Sequence, residues 1–344
     1  MKILYLFFGL LFVLSCSKSD DFGPQGEPLQ SGPVQKVYQG ALILNEGNFG
    51  FGNASLSVLD LQSNEVQNNV YQRVNNRKLG DVAQSSLVSD SLAFLVINNS
   101  NKVIVVSLND FSVVKEISIP GAPRYVVKHN DRLLVSTMGA GSIYEISLLT
   151  LEAKPKINFN AWLDEMLVVE NLLYACNRKH DKLEIFDLNS NTHIQSIKVG
   201  KDPESVSMSS RGDILVLCTG GYNVNDRENA AIYLINNSEA QRVYTFQNIE
   251  DSPSRLKYNS YNNSWCFLNH GLFSFKEDFQ VSEILKQTKG NIFYGLGVNP
   301  IDGNVFVTNV KNYVENGEVI CINNLANLQY KRTLSIIPQH IVFY

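Results

Sequence analysis

Charged residues are few in this sequence and are not clustered. Asp, Glu, Lys and Arg together make up 18% of the 344 residues, and the formal net charge is −4. Binding to nucleic acid relies on grouped basic side chains, and here Lys and Arg are interspersed with acids. The composition therefore argues against a nucleic-acid-binding protein.

The sequence motifs of common catalytic sites are also missing. The sequence contains no G-x-S-x-G elbow, no H-E-x-x-H, no Walker loop and no dinucleotide-binding fingerprint. Its five histidines are scattered, with no spacing typical of metal ligands. We expect a protein without a metal or other cofactor, and not an enzyme. A hydrolase or lactonase with a site built from distant segments is the least supported alternative.

Cysteine is rare, and no C-x-x-C pair occurs among the five residues. Four cysteines stand alone in apolar, strand-like runs: Cys176, Cys218, Cys266 and Cys321. Isolated thiols in apolar segments favour neither a zinc site nor a disulfide framework. We predict buried free thiols at these four positions.

Capped helical stretches longer than about ten residues are not found, and short runs rich in β-branched and aromatic residues recur instead. The clearest copies begin at Ser91, Arg132 and Asn171. Second strands of the repeat begin near Ala41, Leu92, Arg132, Leu172, Asp213, Ser264 and Asn304. Most of these are about 40 residues apart, and two intervals are about 51. This period predicts an all-β propeller of seven blades with four antiparallel strands each.

The two ends of the repeat region complement each other. The segment PQHIVFY at 338–344 repeats a motif that opens other first strands, such as Pro123 to Val126 and Pro203 to Val206. The first repeat, from Ala41, lacks a first strand. We therefore predict that the C-terminal strand completes the N-terminal blade and closes the ring, which removes exposed sheet edges. A single propeller domain is expected over residues 37–344.

The N-terminal segment has the pattern of a targeting sequence. Lys2 precedes an apolar run over residues 3–14, which is too short to span a bilayer as a helix. The sequence Val-Leu-Ser-Cys at 13–16 resembles a bacterial lipobox, which predicts a lipoprotein signal peptide over residues 1–15 and lipidation of Cys16. An ordinary signal peptide with a coincidental cysteine is the alternative. Residues 16–36 are expected to form a flexible tether.

Strand polarity assigns each loop to one of two faces. The loops between second and third strands, and those entering the next blade, share a face that we call the loop face. All long insertions fall there, at 45–53, 72–80, 220–229 and 311–317, whereas the turns on the opposite face are mostly short. Long irregular loops on a rigid scaffold are typical of binding sites. We expect the loop face to bind a ligand.

Aromatic and amide side chains on these loops suit a bulky neutral organic ligand. The positions expected around the central mouth are Asp81, Arg124, Asp164, Glu204, Ser254, Phe293 and Gln339. The candidate ligand-binding residues are Asn48, Phe49, Phe51, Asp81, Arg124, Trp162, Arg178, Tyr222, Asn223 and Tyr313. Alternatively, Phe49 and Phe51 only pin their own loop, and Trp162 fills a gap between blades.

Several motifs give the chain a family resemblance. The P-x-x-V strand entries and the third strand LEIFDL at 183–188 resemble the YncE-like propellers. The segments LNEGNFG at 44–50 and LGDV at 79–82 look like first-blade motifs of Bacteroidetes surface lipoproteins of the BtuG family. Residues 17–21, SKSDD, resemble the acidic signal of lipoproteins displayed at the surface of these bacteria.

The resemblance implies a lipoprotein of the outer membrane that faces the exterior. It also implies capture of a small organic ligand, with a corrinoid such as cobalamin as the first candidate, and delivery to a TonB-dependent transporter. A scaffold that docks against an outer-membrane partner without any small ligand is the alternative.

Overall fold

Strands dominate the computed structural model, which describes residues 32–37, 39–139, 142–236 and 239–344. Residues 1–31, with the predicted signal peptide, Cys16 and most of the predicted tether, lie outside the described residues. Within the described part, no helix is both long and apolar enough to cross a membrane. A six-residue helix, α1 (Val70–Asn75), and a 3-10 turn at Asn98–Ser100 are its helical elements.

The first fifteen strands, in chain order, are β1 (Gly40–Asn45), β2 (Ser55–Asp60), β3 (Val66–Gln67), β4 (Ala83–Ser89), β5 (Leu92–Ile97), β6 (Lys102–Ser107), β7 (Val113–Ser118), β8 (Pro123–His129), β9 (Arg132–Thr137), β10 (Ser142–Ser147), β11 (Ala153–Asn158), β12 (Leu163–Val169), β13 (Leu172–Asn177), β14 (Lys182–Asp187) and β15 (Thr192–Lys198). The remaining thirteen are β16 (Pro203–Met208), β17 (Ile214–Cys218), β18 (Ala231–Asn236), β19 (Glu239–Thr245), β20 (Ser254–Asn259), β21 (Ser264–Leu268), β22 (Gly271–Phe275), β23 (Ser282–Lys286), β24 (Phe293–Val298), β25 (Val305–Asn309), β26 (Asn316–Ile322), β27 (Leu328–Ile336) and β28 (Pro338–Phe343).

These strands form seven antiparallel four-stranded sheets, which confirms the predicted seven-bladed propeller. Blades 2 to 7 use consecutive strands, from β4–β7 to β24–β27. Blade 1 has the order β28-β1-β2-β3, so the C-terminal strand is its innermost strand. Ile341 pairs with Ile43 in this sheet, and the Gly40 and Tyr344 backbones exchange hydrogen bonds of 3.0 and 2.9 Å. The ring closes as predicted.

The core lies between blades. The second strand of a blade is covered on both sides by neighbouring sheets, which is why β5 is almost wholly buried and continuously apolar. The outer strand β7 instead alternates between partly buried and exposed residues. The four cysteines of the described residues are buried and free, as predicted. Cys176 and Cys218 lie in the apolar cluster between blades 4 and 5.

The last residues of the predicted tether lie against blade 1. The carbonyl oxygens of Gly32 and Pro33 accept hydrogen bonds from the side chain of Arg73, which lies in α1. Gln35 and Gln67 exchange backbone and side-chain hydrogen bonds of 2.7 and 2.8 Å. Residues 32–36 are therefore attached to the propeller.

Candidate functional site

Every innermost strand begins with a β-bulge on the loop face. In β16, Pro203 pairs with Cys218 and Ser205 with Leu217, so Glu204 is the extra residue. The other six bulges hold Gln84, Arg124 with Tyr125, Asp164 with Glu165, Arg255 with Leu256, Tyr294, and Gln339. A bulge changes the direction of its side chain and is common next to functional sites. Here the seven bulges bring polar side chains together at the mouth of the central channel.

A cavity of about 420 Å³ opens at this mouth. Its lining is Glu46, Gln84, Arg124, Tyr125, Arg178, Glu204, Thr219, Tyr222, Ser252, Ser254, Arg255, Leu268, Asn269, His270, Gln287, Ile292, Phe293, Tyr294, Tyr313 and Gln339. Three arginines and four tyrosines stand out in this set. The cavity is thus a polar pocket with aromatic walls, within the size range of small-molecule sites.

Two of the arginines belong to a buried ion network. Arg124 contacts both carboxylate oxygens of Asp164, with Nε–Oδ1 at 2.8 Å and Nη2–Oδ2 at 3.1 Å. Arg178 donates two hydrogen bonds to the Asp202 carboxylate, at 2.6 and 2.7 Å. It also donates one to Asp164, at 3.0 Å. Burial alone would raise the pKa of Asp164, but the two guanidinium groups hold it below its usual range. Both arginines are thereby matched by carboxylates.

Arg255 occupies a different position, at the centre of the mouth. It comes from blade 6, yet its side chain reaches Tyr294 of blade 7, Tyr125 of blade 3 and Gln339 of blade 1. Its backbone N–H donates to the Glu204 carboxylate of blade 5 at 2.9 Å. One arginine therefore links five of the seven blades across the ring.

Glu46 is the acid at the blade 1 side of the cavity. The Tyr294 hydroxyl donates to its Oε2 at 2.9 Å. Burial raises the pKa of Glu46, although the Tyr294 hydrogen bond and the charges of Arg255 and Arg124 oppose the shift. Burial also raises the pKa of Tyr294, so that hydroxyl remains a donor at neutral pH.

A second polar layer lies below the cavity. The Lys257 ammonium of blade 6 contacts Glu165 of blade 4 at 2.5 Å, across the channel. His340 uses Nδ1 to contact the backbone N–H and the hydroxyl of Ser86, at 3.2 and 3.1 Å. Burial, with the nearby charges of Lys257 and Arg255, lowers the pKa of His340 to about 3. The imidazole is therefore neutral and Nδ1 accepts.

Four of the predicted ligand-binding residues line the cavity: Arg124, Arg178, Tyr222 and Tyr313. The Tyr222 hydroxyl contacts Arg178 Nη2 at 2.7 Å, while 69% of the residue is exposed. Trp162 lies behind the cavity wall, with its ring 5.4 Å from the Arg178 guanidinium and 5.9 Å from that of Arg124. The tryptophan packs on these arginines and does not line the cavity.

The other five predicted residues stand on the surrounding loops and not in the cavity lining. Phe49 and Phe51 are 75% and 51% exposed, so neither ring is buried within its own loop. Asn48 donates to the Tyr313 carbonyl at 2.9 Å and joins the loops of blades 1 and 7. Asp81 accepts from the Gly50 N–H at 2.9 Å, and Asn223 accepts from the Asn225 N–H at 3.1 Å. Asn48, Asp81 and Asn223 therefore hold the conformation of the loops.

Just over half of the large exposed apolar residues lie on the loop face. Eight of the fifteen large apolar side chains exposed in the described part of the chain lie there: Phe49, Phe51, Met138, Tyr222, Val224, Ile249, Tyr313 and Val314. They come from loops of four blades, and two of them, Tyr222 and Tyr313, line the polar cavity. We call these eight residues the apolar rim. Exposed apolar groups gathered on one face are typical of interaction sites.

The sequence did not identify Arg255, Gln84, Tyr125 and Tyr294 as mouth residues. The expected ring named Ser254, Phe293 and Asp81, one to three residues earlier in each strand. Ser254 and Phe293 do line the cavity, beside Arg255 and Tyr294, whereas Asp81 does not. The bulges and the left-handed backbone of Arg255, with φ at 62°, change which residue faces the channel. The only hint in the sequence is that each missed residue comes directly or closely after a predicted entry position.

The described part of the chain has no evident binding site for a metal ion. No group of three or more His, Cys, Asp or Glu side chains that could hold a metal occurs among the described residues. The donors in the cavity are guanidinium, phenol and amide groups. Donors of this kind bind the oxygen atoms of polar or anionic organic molecules, although the carboxylates of Glu46 and Glu204 also line the cavity.

The fold and the mouth define a seven-bladed propeller with a polar cavity at its loop face. The model of a family described as a domain of unknown function (DUF5074) matches residues 39–339. The chain belongs to this family. No curated protein matches the chain.

Solved structures with a similar fold include two proteins from Bacteroides species. One is a quinonprotein alcohol dehydrogenase-like protein from Bacteroides thetaiotaomicron, with a TM-score of 0.70, 12% identity, and coverage of 89% of this chain and 79% of the other. The second is a candidate 6-phosphogluconolactonase from Bacteroides fragilis, with a TM-score of 0.69, 12% identity, and coverage of 91% and 100%. At this identity, the likeness extends to the propeller fold alone.

Proposed function

We propose that the protein binds a small organic ligand at the loop face, with the polar groups of the ligand in the central cavity and its apolar body on the rim. The observation that carries this proposal is the presence of the apolar rim on the same face as a cavity lined by three arginines and four tyrosines. Buried polar groups provide orientation and specificity, and exposed aromatic rings provide contact area.

The first candidate ligand is a corrinoid, on the strength of the first-blade motifs at 44–50 and 79–82. Both motifs lie next to the cavity: Glu46 lines it, and Asp81 holds the Gly50 backbone. In this proposal the protein is not an enzyme and is held at the outer membrane by a lipid on Cys16. It would pass its ligand to a TonB-dependent transporter.

Isothermal titration calorimetry of the purified protein with cyanocobalamin and cobinamide tests the ligand. We expect saturable heat with at least one of them. A heat signal at the level of buffer dilution for both, with micromolar protein that unfolds cooperatively, would remove the corrinoid. The same titration with Tyr222→Ala tests the site, because this tyrosine lines the cavity and belongs to the rim.

The second candidate function is docking to a partner protein, which the apolar rim favours on its own. An interface core is typically rich in aromatic side chains, as this rim is. Copurification with a TonB-dependent receptor in buffers free of small ligands would support docking. Loss of that copurification in a Phe49→Ser and Tyr222→Ser double variant would place the contact on the loop face.

A further inference from the structure

The three arginines of the cavity differ in how their charges are balanced. Arg124 and Arg178 each hold a carboxylate through two hydrogen bonds. Arg255 donates instead to three neutral oxygens: the Tyr125 hydroxyl at 2.6 Å, the Gln339 amide at 2.8 Å and the Tyr294 carbonyl at 3.2 Å. Among the described residues, its one ion pair is the looser contact with Glu204, at 3.8 Å. Its buried charge is the least compensated of the three.

Further hydrogen-bond donors are available in the same cavity. A guanidinium group has five N–H bonds, and the contacts of Arg255 use three of them. The Tyr125 hydroxyl accepts from Arg255, and no acceptor for its own proton occurs among the described residues. Gln84 is 4% exposed, and its Oε1 accepts from Arg124 at 2.6 Å. The Gln84 amide NH₂ has no acceptor within the described part of the chain. Three side chains thus present donors without acceptors to one cavity.

Two carboxylates also line this cavity, and both are already engaged. Glu204 accepts the backbone N–H of Arg255 at 2.9 Å. Glu46 accepts the Tyr294 hydroxyl, and burial raises its pKa, which favours its uncharged form. Neither carboxylate forms a two-point pair with Arg255 that would occupy the free edge of the guanidinium.

The backbone of Arg255 is also unusual. Its φ of 62° lies in the left-handed region, which a long side chain such as arginine rarely adopts. Such conformations persist only where the surrounding structure enforces them, and they are concentrated at ligand sites. The bulge at the start of β20 and the contacts to four other blades provide that enforcement.

We infer that the mouth recognises an oxyanion on its ligand, a carboxylate or a phosphate group, with Arg255 as the charged anchor and Tyr125 and Gln84 as neutral donors. Guanidinium and oxyanion form charge-assisted hydrogen bonds, for which the planar fork of arginine is well suited. The inference rests on the proposed function and narrows it, because the sequence alone suggested a neutral ligand. The anionic group enters the cavity while the remainder of the ligand contacts the apolar rim.

Calorimetry of the purified protein with three small probes tests this assignment. The probes are inorganic phosphate, benzoate, and benzamide as the uncharged counterpart of benzoate, all at one ionic strength. We expect phosphate or benzoate to bind and benzamide to produce no saturable heat. Arg255→Gln should weaken anion binding by at least about tenfold, as expected for a charge-assisted contact. Arg211→Gln makes the same charge change on the opposite face and should leave the affinity unaltered.

If Arg255→Gln does not fold, which the loss of a cooperative unfolding transition would show, two milder variants test the oxyanion site. Tyr125→Phe and Gln84→Leu each remove one neutral donor and should weaken anion binding about threefold to tenfold. Wild-type affinity in both variants would overturn the inference. Equal affinity of Arg255→Gln and wild type, or no binding of either anion to wild type, would also overturn it.

The outcomes separate this inference from the proposed function. If cyanocobalamin binds with dependence on Tyr222 but phosphate and benzoate do not bind, the oxyanion site is wrong and the organic-ligand site stands. If the anions bind with dependence on Arg255 but no organic ligand responds to Tyr222→Ala, the rim has no part in binding and the proposed function fails.

Discussion

Arg124 of blade 3 and Asp164 of blade 4 form a two-point pair at the mouth, with contacts of 2.8 and 3.1 Å and only 15% and 1% of their side chains exposed. Asp164 also accepts a hydrogen bond from Arg178, at 3.0 Å. One carboxylate therefore neutralises parts of two buried guanidinium groups. The pair joins adjacent blades at the mouth of the channel, which links the geometry of the cavity to the stability of the ring.

Replacement of Asp164 by Asn should destabilise the fold. Among the described residues, Arg124 would lose its one ion-pair partner, and Arg178 would keep only Asp202 as a charged partner. Removal of one member of a buried ion pair leaves a buried charge uncompensated, which costs about 3 kcal/mol of unfolding free energy. Urea denaturation followed by circular dichroism measures this loss.

Asp226→Asn is the matched control, since it removes the same charge from the Lys201–Asp226 pair, in which 73% of the Asp226 side chain is exposed. An exposed pair contributes at most about 1 kcal/mol, so this variant should unfold near the wild-type midpoint. Similar denaturation curves for the two variants would show that the buried network contributes no more than a surface pair.

Truncation of rim aromatics should weaken ligand binding with little effect on stability. Phe49, Tyr222 and Tyr313 are exposed on loops of blades 1, 5 and 7. Loss of an aromatic anchor typically weakens binding by about 1–3 kcal/mol. An exposed loop position usually changes the unfolding free energy by no more than about 0.5 kcal/mol. Calorimetry with cyanocobalamin and thermal melts of each alanine variant provide the two measurements.

Asn130→Ala and Arg211→Ala, on the opposite face, are the controls for the rim. Both should bind with wild-type affinity, because their turns lie at the other end of the strands. Weaker binding in these turn variants, with unchanged binding in the three aromatic variants, would place the ligand on the wrong side of the ring for our proposal.

The fold could be predicted because packing between blades requires apolar runs that recur in the sequence at a regular spacing. Second strands predicted to begin near Leu92, Arg132 and Ser264 begin at those residues. Each is covered on both sides, which requires a continuous run of apolar residues, and these runs recur once per blade. The missing first strand before Ala41 and the extra strand at 338–344 then required closure within blade 1.

The site could be predicted only in part, since its geometry depends on bulges and contacts across the ring. Arg124 and Glu204, each directly after a strand-opening proline, were placed at the mouth by the repeat alone. Arg255 was not, because its left-handed φ shifts the register of β20. Its contact with Tyr125 joins residues 130 positions apart, and no local spacing carries that information.

Removal of the closing strand should prevent folding. A chain truncated after Ile337 leaves the apolar edge of β1, at Leu42 to Leu44, without its partner β28. An unpaired apolar edge promotes association between chains. We expect the truncated chain to elute as an aggregate in size-exclusion chromatography. A synthetic peptide of residues 338–344 should restore monomer, whereas a scrambled peptide should not. A truncated chain that is monomeric and melts at the wild-type temperature would refute the role of closure.

Acid sensitivity is a further consequence of the second polar layer. His340 is neutral in the folded protein because burial and the Lys257 and Arg255 charges lower its pKa to about 3. In the unfolded chain a histidine has its ordinary pKa, near 6.5. Between these values the unfolded chain binds a proton that the folded protein does not. The contribution of the neutral His340 to the unfolding free energy is therefore fully present above pH 6.5, and it is lost progressively as the pH falls toward 3.

Substitution of His340 by Gln should reduce this acid sensitivity while keeping an acceptor for Ser86. Because the unfolded variant gains no proton at this position, its unfolding free energy should fall less than that of wild type between pH 7 and pH 5. The expected difference is about 1–2 kcal/mol. Urea denaturation at pH 7, 6 and 5 measures it. His180→Gln, at an exposed position on the loop face, is the control and should retain the wild-type pH dependence. Parallel loss of stability in wild type and His340→Gln would show that the imidazole takes up protons equally in the folded and the unfolded chain.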